Sequence, residues 1–192
     1  MNSDPWLEPL LPLILERMGS APVLELGCGS GLDTSVLATA GCHVVGVDLS
    51  AKEIAKAMAR VPTCEFHCQD LRALFPSSAA DAGVVIASLS LHYFTWNETL
   101  ALAQRIREAL SPGGVLLCRL NSTNDHHYGA RGHPEIEANY YSVNGEPKRF
   151  FSKAAVIELF AHNWRILQVE EKVIRRYDHP KSVWEAVLER AA

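Results

Sequence analysis

The residues best equipped for chemistry gather around three glycines. Glu25-x-Gly27-x-Gly29-x-Gly31 begins within the mostly apolar run Val23–Leu26, and Asp48 closes a second apolar run. Glycines allow a sharp turn and let a ligand approach the backbone without a side chain in the way. A helix starting directly after Gly31 would aim its free N–H groups at that ligand. An acid about twenty residues after such a loop, at the end of the next strand, reaches ribose hydroxyls. Asp70 follows a third strand candidate on the same sheet edge, where a carboxylate can accept from an adenine amino group. The bland readings are a tight strand-to-helix turn, an acid beside the Ser50 helix cap and a solvated turn acid. The spacing of all three favours a nucleotide site. The dinucleotide fingerprint G-x-G-x-x-G fails, because its third glycine falls on Leu32 or Thr34, and no Gly-Lys-Ser/Thr of a P-loop follows.

Two further stretches carry polar and aromatic chemistry. The first is Ser88-Leu-Ser-Leu-His-Tyr-Phe-Thr-Trp96, in which His92 and Tyr93 are candidates to contact a substrate, the alternative being a helix-flanking histidine and core aromatics. The second is the segment 121–151, with no convincing helix. Structureless loops longer than roughly 12–15 residues are uncommon in compact domains and are often functional. This one is too aromatic for disorder, and Asn144-Gly145 supplies a hairpin turn around Tyr140 and Arg149. Asn124, His126, His127, Tyr128, Tyr140 and Arg149 are its candidate substrate groups, with His126 a candidate proton acceptor beside His92 and Tyr93. His126, His127 and His133 match no compact metal spacing, so hydrogen bonding or lid closure is preferred over a metal. Arg149, Arg175 and Arg176 are candidates for an anionic group, with surface solvation the blander role.

These groups need elements to hold them. Leu7, Leu10, Leu11, Ile14, Leu15 and Met18 form a helical stripe starting near Pro9. Strands are expected at 23–26, 43–47, 65–68, 83–87 and 115–120. Helices are expected at 32–40, from the capping box Ser50-Ala-Lys-Glu53 to about residue 60, from the capping box Thr95-Trp-Asn-Glu98 to Ser111-Pro-Gly-Gly114, and at 152–162. Late strands at 166–174 and 183–188 are separated by too short a turn for a parallel crossover, so they should pair antiparallel. Alternating strands and helices predict an α/β sandwich with a mostly parallel sheet.

The chain has 192 residues and a formal net charge of −4, which suits one domain with a sizeable core and argues against nucleic acid as the main partner. Five cysteines without a C-x-x-C pair read as reduced thiols. No basic leader or long apolar run is seen, so a cytoplasmic location without membrane contact is expected.

The chain resembles the class I S-adenosylmethionine-dependent methyltransferases. The resemblance rests on Val23-Leu-Glu-Leu-Gly-Cys-Gly-Ser-Gly31, Val47-Asp48, Gln69-Asp70-Leu71, Asp81-Ala-Gly-Val-Val-Ile-Ala-Ser88 and Leu110-Ser-Pro-Gly-Gly-Val-Leu-Leu117, in the family's order. It implies a Rossmann-like seven-stranded sheet with helices on both faces and an antiparallel C-terminal strand pair. It implies S-adenosylmethionine as cofactor, with Glu25, Gly27, Cys28, Gly29 and Gly31 around its methionine and ribose, Asp48 with Leu49 at the ribose, Asp70 with Leu71 flanking adenine and Ser88 near the sulfonium. The expected activity is methyl transfer to a small-molecule acceptor, by alignment and desolvation, with 121–151 as a lid on a single domain. Alternatives are a non-catalytic cofactor-binding module and an NAD-dependent oxidoreductase. Within the family the short chain is most similar to small-molecule enzymes such as the tellurite-resistance methyltransferases.

Overall fold

The computed structural model describes residues 5–175 and 177–191. Five strands follow one another in parallel: β1 (Val23–Leu26), β2 (Val44–Asp48), β3 (Glu65–Cys68), β4 (Ala82–Ser88) and β5 (Leu110–Asn121). β1 is buried along its whole length and pairs with β2 on one side and β4 on the other, Val23 lying opposite both Val44 and Val84. Such fully buried strands are what a sheet covered on both faces requires. The insert that follows β5 contains β6 (Glu135–Glu137), β7 (Tyr140–Val143) and β8 (Glu146–Arg149). β9 (Trp164–Ile174) and β10 (Lys181–Arg190) complete the seven-stranded sheet, ordered β3-β2-β1-β4-β5-β10-β9.

The chain builds outward from β1 to β3, then returns to lay β4 on the other side of β1. That reversal is a topological switch point, where loops diverge and leave a crevice at the carboxyl ends of the strands. β10 runs antiparallel to both β5 and β9, in keeping with the turn-length expectation. β9 is longer than the sequence pattern suggests. It is an edge strand exposed over most of its length, so no apolar alternation marks its ends.

The helices are α1 (Leu11–Met18), α2 (Leu32–Thr39), α3 (Ala51–Arg60), α4 (Trp96–Ala109) and α5 (Lys153–Leu159). Around Pro9 the chain makes a single 3-10 turn before α1, a start that proline tolerates. Ile14 turns into the core and Leu15 outward, as the stripe requires at its edge. The Thr95–Glu98 capping box is complete: the hydroxyl accepts from the Glu98 amide and the carboxylate accepts from the Thr95 amide. The Ser50 box is only half made, because Glu53 turns to Lys56 instead. One apolar layer, with Leu102, Ile106 and Phe160, covers one face of the sheet. Another, with Leu7, Ile14 and Leu37, covers the other. No described helix is long and apolar enough to cross a membrane.

The segment 121–151 is more ordered than its sequence suggests. β6, β7 and β8 form a small antiparallel sheet, with Asn144 and Gly145 both at positive φ in the β7–β8 turn. The Tyr140 hydroxyl donates to the Tyr93 carbonyl at 2.9 Å, Arg149 Nε donates to the Phe94 carbonyl at 3.1 Å, and Glu137 accepts from the Trp96 amide at 2.6 Å. The small sheet is therefore bolted onto the loop between β4 and α4.

Candidate functional site

A cavity of about 800 Å³ lies at the switch point. Its wall comes from four places: Gly27 after β1, Asp48–Ser50 after β2, Asp70–Arg72 after β3, and Leu89, Ser90, Tyr93 and Phe94 after β4. The insert adds Glu146 and Pro147.

Each loop has a local reason for its shape. Asp48 accepts from the Gly29 amide at 2.9 Å and from the Ser50 amide at 2.8 Å, so one carboxylate orders both the glycine turn and the start of α3. Gly27 has φ +75°, and a Cβ there would stand 2.5 Å from the Ser90 Cβ. Gly29 also has positive φ, yet a Cβ there would meet nothing within 4 Å. The first glycine lets two protein loops touch; the second leaves open space. Asp70 accepts from the Arg72 amide at 2.7 Å and pairs with its guanidinium, which also binds Glu98 and lies 4.7 Å from the centre of the Phe94 ring. Leu49 is 69% exposed beside the cavity, an apolar surface without a protein partner to cover it.

The site's neighbours behave as buried groups do. Glu25 is buried and accepts from Thr34 Oγ1; burial first, then the charge of Asp33, pushes its carboxyl up to about 8. Burial also raises the Cys28 thiol far above its usual range, so no thiolate forms there. Glu25 and Cys28 therefore sit behind the glycine turn, not on the cavity wall. Gly31 is the N-cap of α2 and faces Ala57 of α3. Ser88 is likewise off the wall: its hydroxyl accepts from Arg119 Nε at 3.0 Å. Ser90, two residues on, is the serine that lines the cavity, and its buried Oγ has no hydrogen-bond partner.

Residues 23–114 match a family described as methyltransferase domain. Trans-aconitate 2-methyltransferase of Paracidovorax citrulli (strain AAC00-1) is 36% identical over 100 residues, covering 51% of this chain and 38% of that protein. The chain spans about half the length or less of the first curated relatives it matches. Among solved structures, a SAM-dependent methyltransferase of Methanosarcina mazei superposes with TM-score 0.78 at 18% identity, over 94% of this chain and 97% of that one. The 1,6-didemethyltoxoflavin-N1-methyltransferase of Burkholderia thailandensis superposes with TM-score 0.72 at 18% identity, over 99% and 80%. At such identities these are likenesses of fold. Residues 23–114 are thus similar to a methyltransferase domain, and the whole sheet has the fold of S-adenosylmethionine-dependent methyltransferases.

The residues of this cavity fit S-adenosylmethionine. A Cβ at Gly29 would enter open space, the carboxylate of Asp48 binds the Gly29 amide beside it, and the exposed Leu49 and the largely buried Leu71 both line the cavity with apolar surface for a base. Gly27, Asp48, Leu49, Asp70 and Leu71 line the cavity.

The acceptor side departs from the sequence expectations. Tyr93 lines the cavity, its hydroxyl raised by burial and by the charge of Glu146. His92 does not. It is buried against Tyr93, burial drives its pKa down to about 3, and Nδ1 has no hydrogen-bond partner. It is thus a neutral imidazole at ordinary pH. Tyr140 and Arg149 are not on the wall either: both are buried and spent on anchoring the insert, Arg149 also pairing with Glu137. Asn124 bonds Glu171 of β9, His127 stacks on His179, and Tyr128 exchanges hydrogen bonds with the His179 backbone. These three and the exposed His126 lie away from the cavity, because the chain after β5 turns toward the β9–β10 loop before crossing back. Arg175 is exposed, and Arg176 lies outside the described residues.

Leu89, Ser90, Arg72, Glu146 and Pro147 also stand on the wall, without a motif in the sequence to mark them. Leu89 holds φ +56° without being glycine, a strain of the kind found at ligand sites. Nothing in its residue type signals this. Asp125 and Lys181 are likewise unmarked in the sequence. They form a buried pair at 2.7 Å that ties the insert to β10.

Proposed function

We propose that this protein transfers a methyl group from S-adenosylmethionine to a small-molecule acceptor, with the segment 121–151 covering the site within a single domain. The observation that carries the reading is the switch-point cavity lined by Gly27, Asp48, Leu49, Asp70 and Leu71, with open space beside it at Gly29, whose amide donates to Asp48. Asp48 would hold the ribose hydroxyls, Leu49 and Leu71 the faces of adenine, and Asp70 its amino group once Arg72 makes room. Bound there, S-adenosylmethionine supplies a carbon activated toward in-line displacement. The residues after β4 and the insert then orient the acceptor and keep water away. His92 contributes shape and neutrality rather than a proton acceptor, since its imidazole stays unprotonated behind Tyr93. A small acceptor suits a cavity of about 800 Å³ shared with the cofactor, and the trans-aconitate and didemethyltoxoflavin relatives are named for small molecules.

Calorimetry tests the cofactor half. Binding of S-adenosylhomocysteine without binding of NADH is expected, and the reverse would reject the reading. Asp48→Ala removes charge-assisted hydrogen bonds worth about 1.5–3 kcal/mol, so its Kd should rise about ten- to 150-fold. An unchanged Kd would mean that Asp48 does not hold the ribose. Formation of S-adenosylhomocysteine with a small-molecule panel tests transfer; cofactor binding without turnover on any acceptor would leave a binding module.

A further inference from the structure

Glu146 differs from the other acids of the cavity wall. Asp48 is occupied by two backbone amides and Asp70 by Arg72. Glu146 lines the same cavity with neither a hydrogen bond nor an ion pair among the described residues.

Its position is well defined. Glu146 opens β8 opposite Val143, and the strand ends at Arg149 opposite Tyr140. Both residues of that last pair are bolted to the loop after β4, through the Tyr93 and Phe94 carbonyls. The turn between the strands is only Asn144-Gly145, so the hairpin has little slack. Glu146, itself exposed, is thus carried on a short, anchored arm and lines the same cavity as Tyr93, Ser90 and Leu89 at the end of β4. Its charge acts on the Tyr93 hydroxyl, after burial the largest influence there. Lys148, on the same face of β8, is not on the wall; its charge acts deeper, on His92.

We propose that Glu146 selects the methyl acceptor: its carboxylate accepts a hydrogen bond from an N–H or O–H on the acceptor and excludes acceptors that present a carboxylate at that place. This rests on the methyltransferase reading above and names the substrate class within it, an amine, heteroaromatic N–H or hydroxyl compound. A charge-assisted hydrogen bond from such a group is stronger than one between neutral partners. A carboxylate facing Glu146 meets like-charge repulsion, which is how a site rejects a wrong ligand.

The test uses two nucleosides of nearly the same shape. Sinefungin presents a protonated amine toward the acceptor position, whereas S-adenosylhomocysteine presents nothing there. Calorimetry on the full chain at low salt gives the ratio of their affinities. Opposite charges facing one partly hydrated cavity interact enough that Glu146→Gln should lower the preference for sinefungin about five-fold. The Kd for S-adenosylhomocysteine should stay within about two-fold, which also reports an intact fold. Glu146→Asp keeps the charge and should keep the preference. An unchanged ratio in Glu146→Gln, or an equal loss in Glu146→Asp, would overturn the proposal. Failure of the unaltered protein to bind either nucleoside would overturn the cofactor assignment itself, and this proposal with it.

Discussion

Gly27 and Gly29 look alike in sequence, and the structure gives them opposite liabilities. Both have positive φ, which costs a residue with a Cβ about 1–2 kcal/mol. At Gly27 a Cβ would also stand 2.5 Å from the Ser90 Cβ, and Ser90 follows the left-handed Leu89, so the loop has little room to retreat. Overpacking of that kind adds about 1–3 kcal/mol. Gly27→Ala should therefore lose about 2–5 kcal/mol of stability, a Tm drop of roughly 5–15 °C for a chain of this size. Gly29→Ala meets no atom within 4 Å and should lose only the backbone cost, a drop of roughly 3–6 °C. Its new methyl occupies the space proposed for the cofactor, so its Kd for S-adenosylhomocysteine should rise more than about ten-fold. Thermal melting and calorimetry on the two variants settle the matter. Equal Tm losses would refute the packing argument. A Gly29→Ala protein that binds as the unaltered protein does would refute the assignment of that space.

Arg149→Met should free the insert. It removes a buried guanidinium that serves Phe94, Ala138 and Glu137. Because Glu137 is 39% exposed, the loss should fall below that of a fully buried pair, at about 2–4 kcal/mol. Faster amide exchange across 135–149 checks it, and exchange rates equal to those of the unaltered protein would count against the anchoring role. Glu25 makes stability depend on pH. Its folded-state value of about 8 lies above the ordinary 4.5, so the protonated form is favoured in the folded chain. That contribution is fully present below pH 4.5 and is lost as pH rises toward 8. Urea unfolding should show stability falling by a few kcal/mol across this window, with a flatter profile in Glu25→Gln. The same slope in both proteins would remove Glu25 as the cause.

The elements legible in the sequence are those encoded by near neighbours. The apolar runs of β1 and β4 name buried strands, Thr95 and Glu98 name a helix start, and Asn144-Gly145 names a hairpin, because each depends on contacts within a few residues. The glycine run and Asp48 are legible for the same reason: a parallel βαβ unit of fixed length brings the ends of β1 and β2 together. Even the antiparallel β10 follows from the length of a turn.

What the sequence leaves open is which side chains face the cavity where distant segments meet. Ser88 and Ser90 are equivalent by composition; the approach of Arg119 takes one and leaves the other on the wall. Tyr140 and Arg149 looked like ligand groups because exposed aromatic and cationic residues in long loops are usually free to bind. Packing against the backbone after β4 consumed them, and the wall position passed to Glu146 and Pro147 at the hairpin's other end. Glycine spacing and the acid after β2 are local facts that a chain carries wherever it folds. The orientation of an insert hairpin depends on the backbone carbonyls of Tyr93 and Phe94, and a carbonyl that every residue possesses leaves no mark in a sequence.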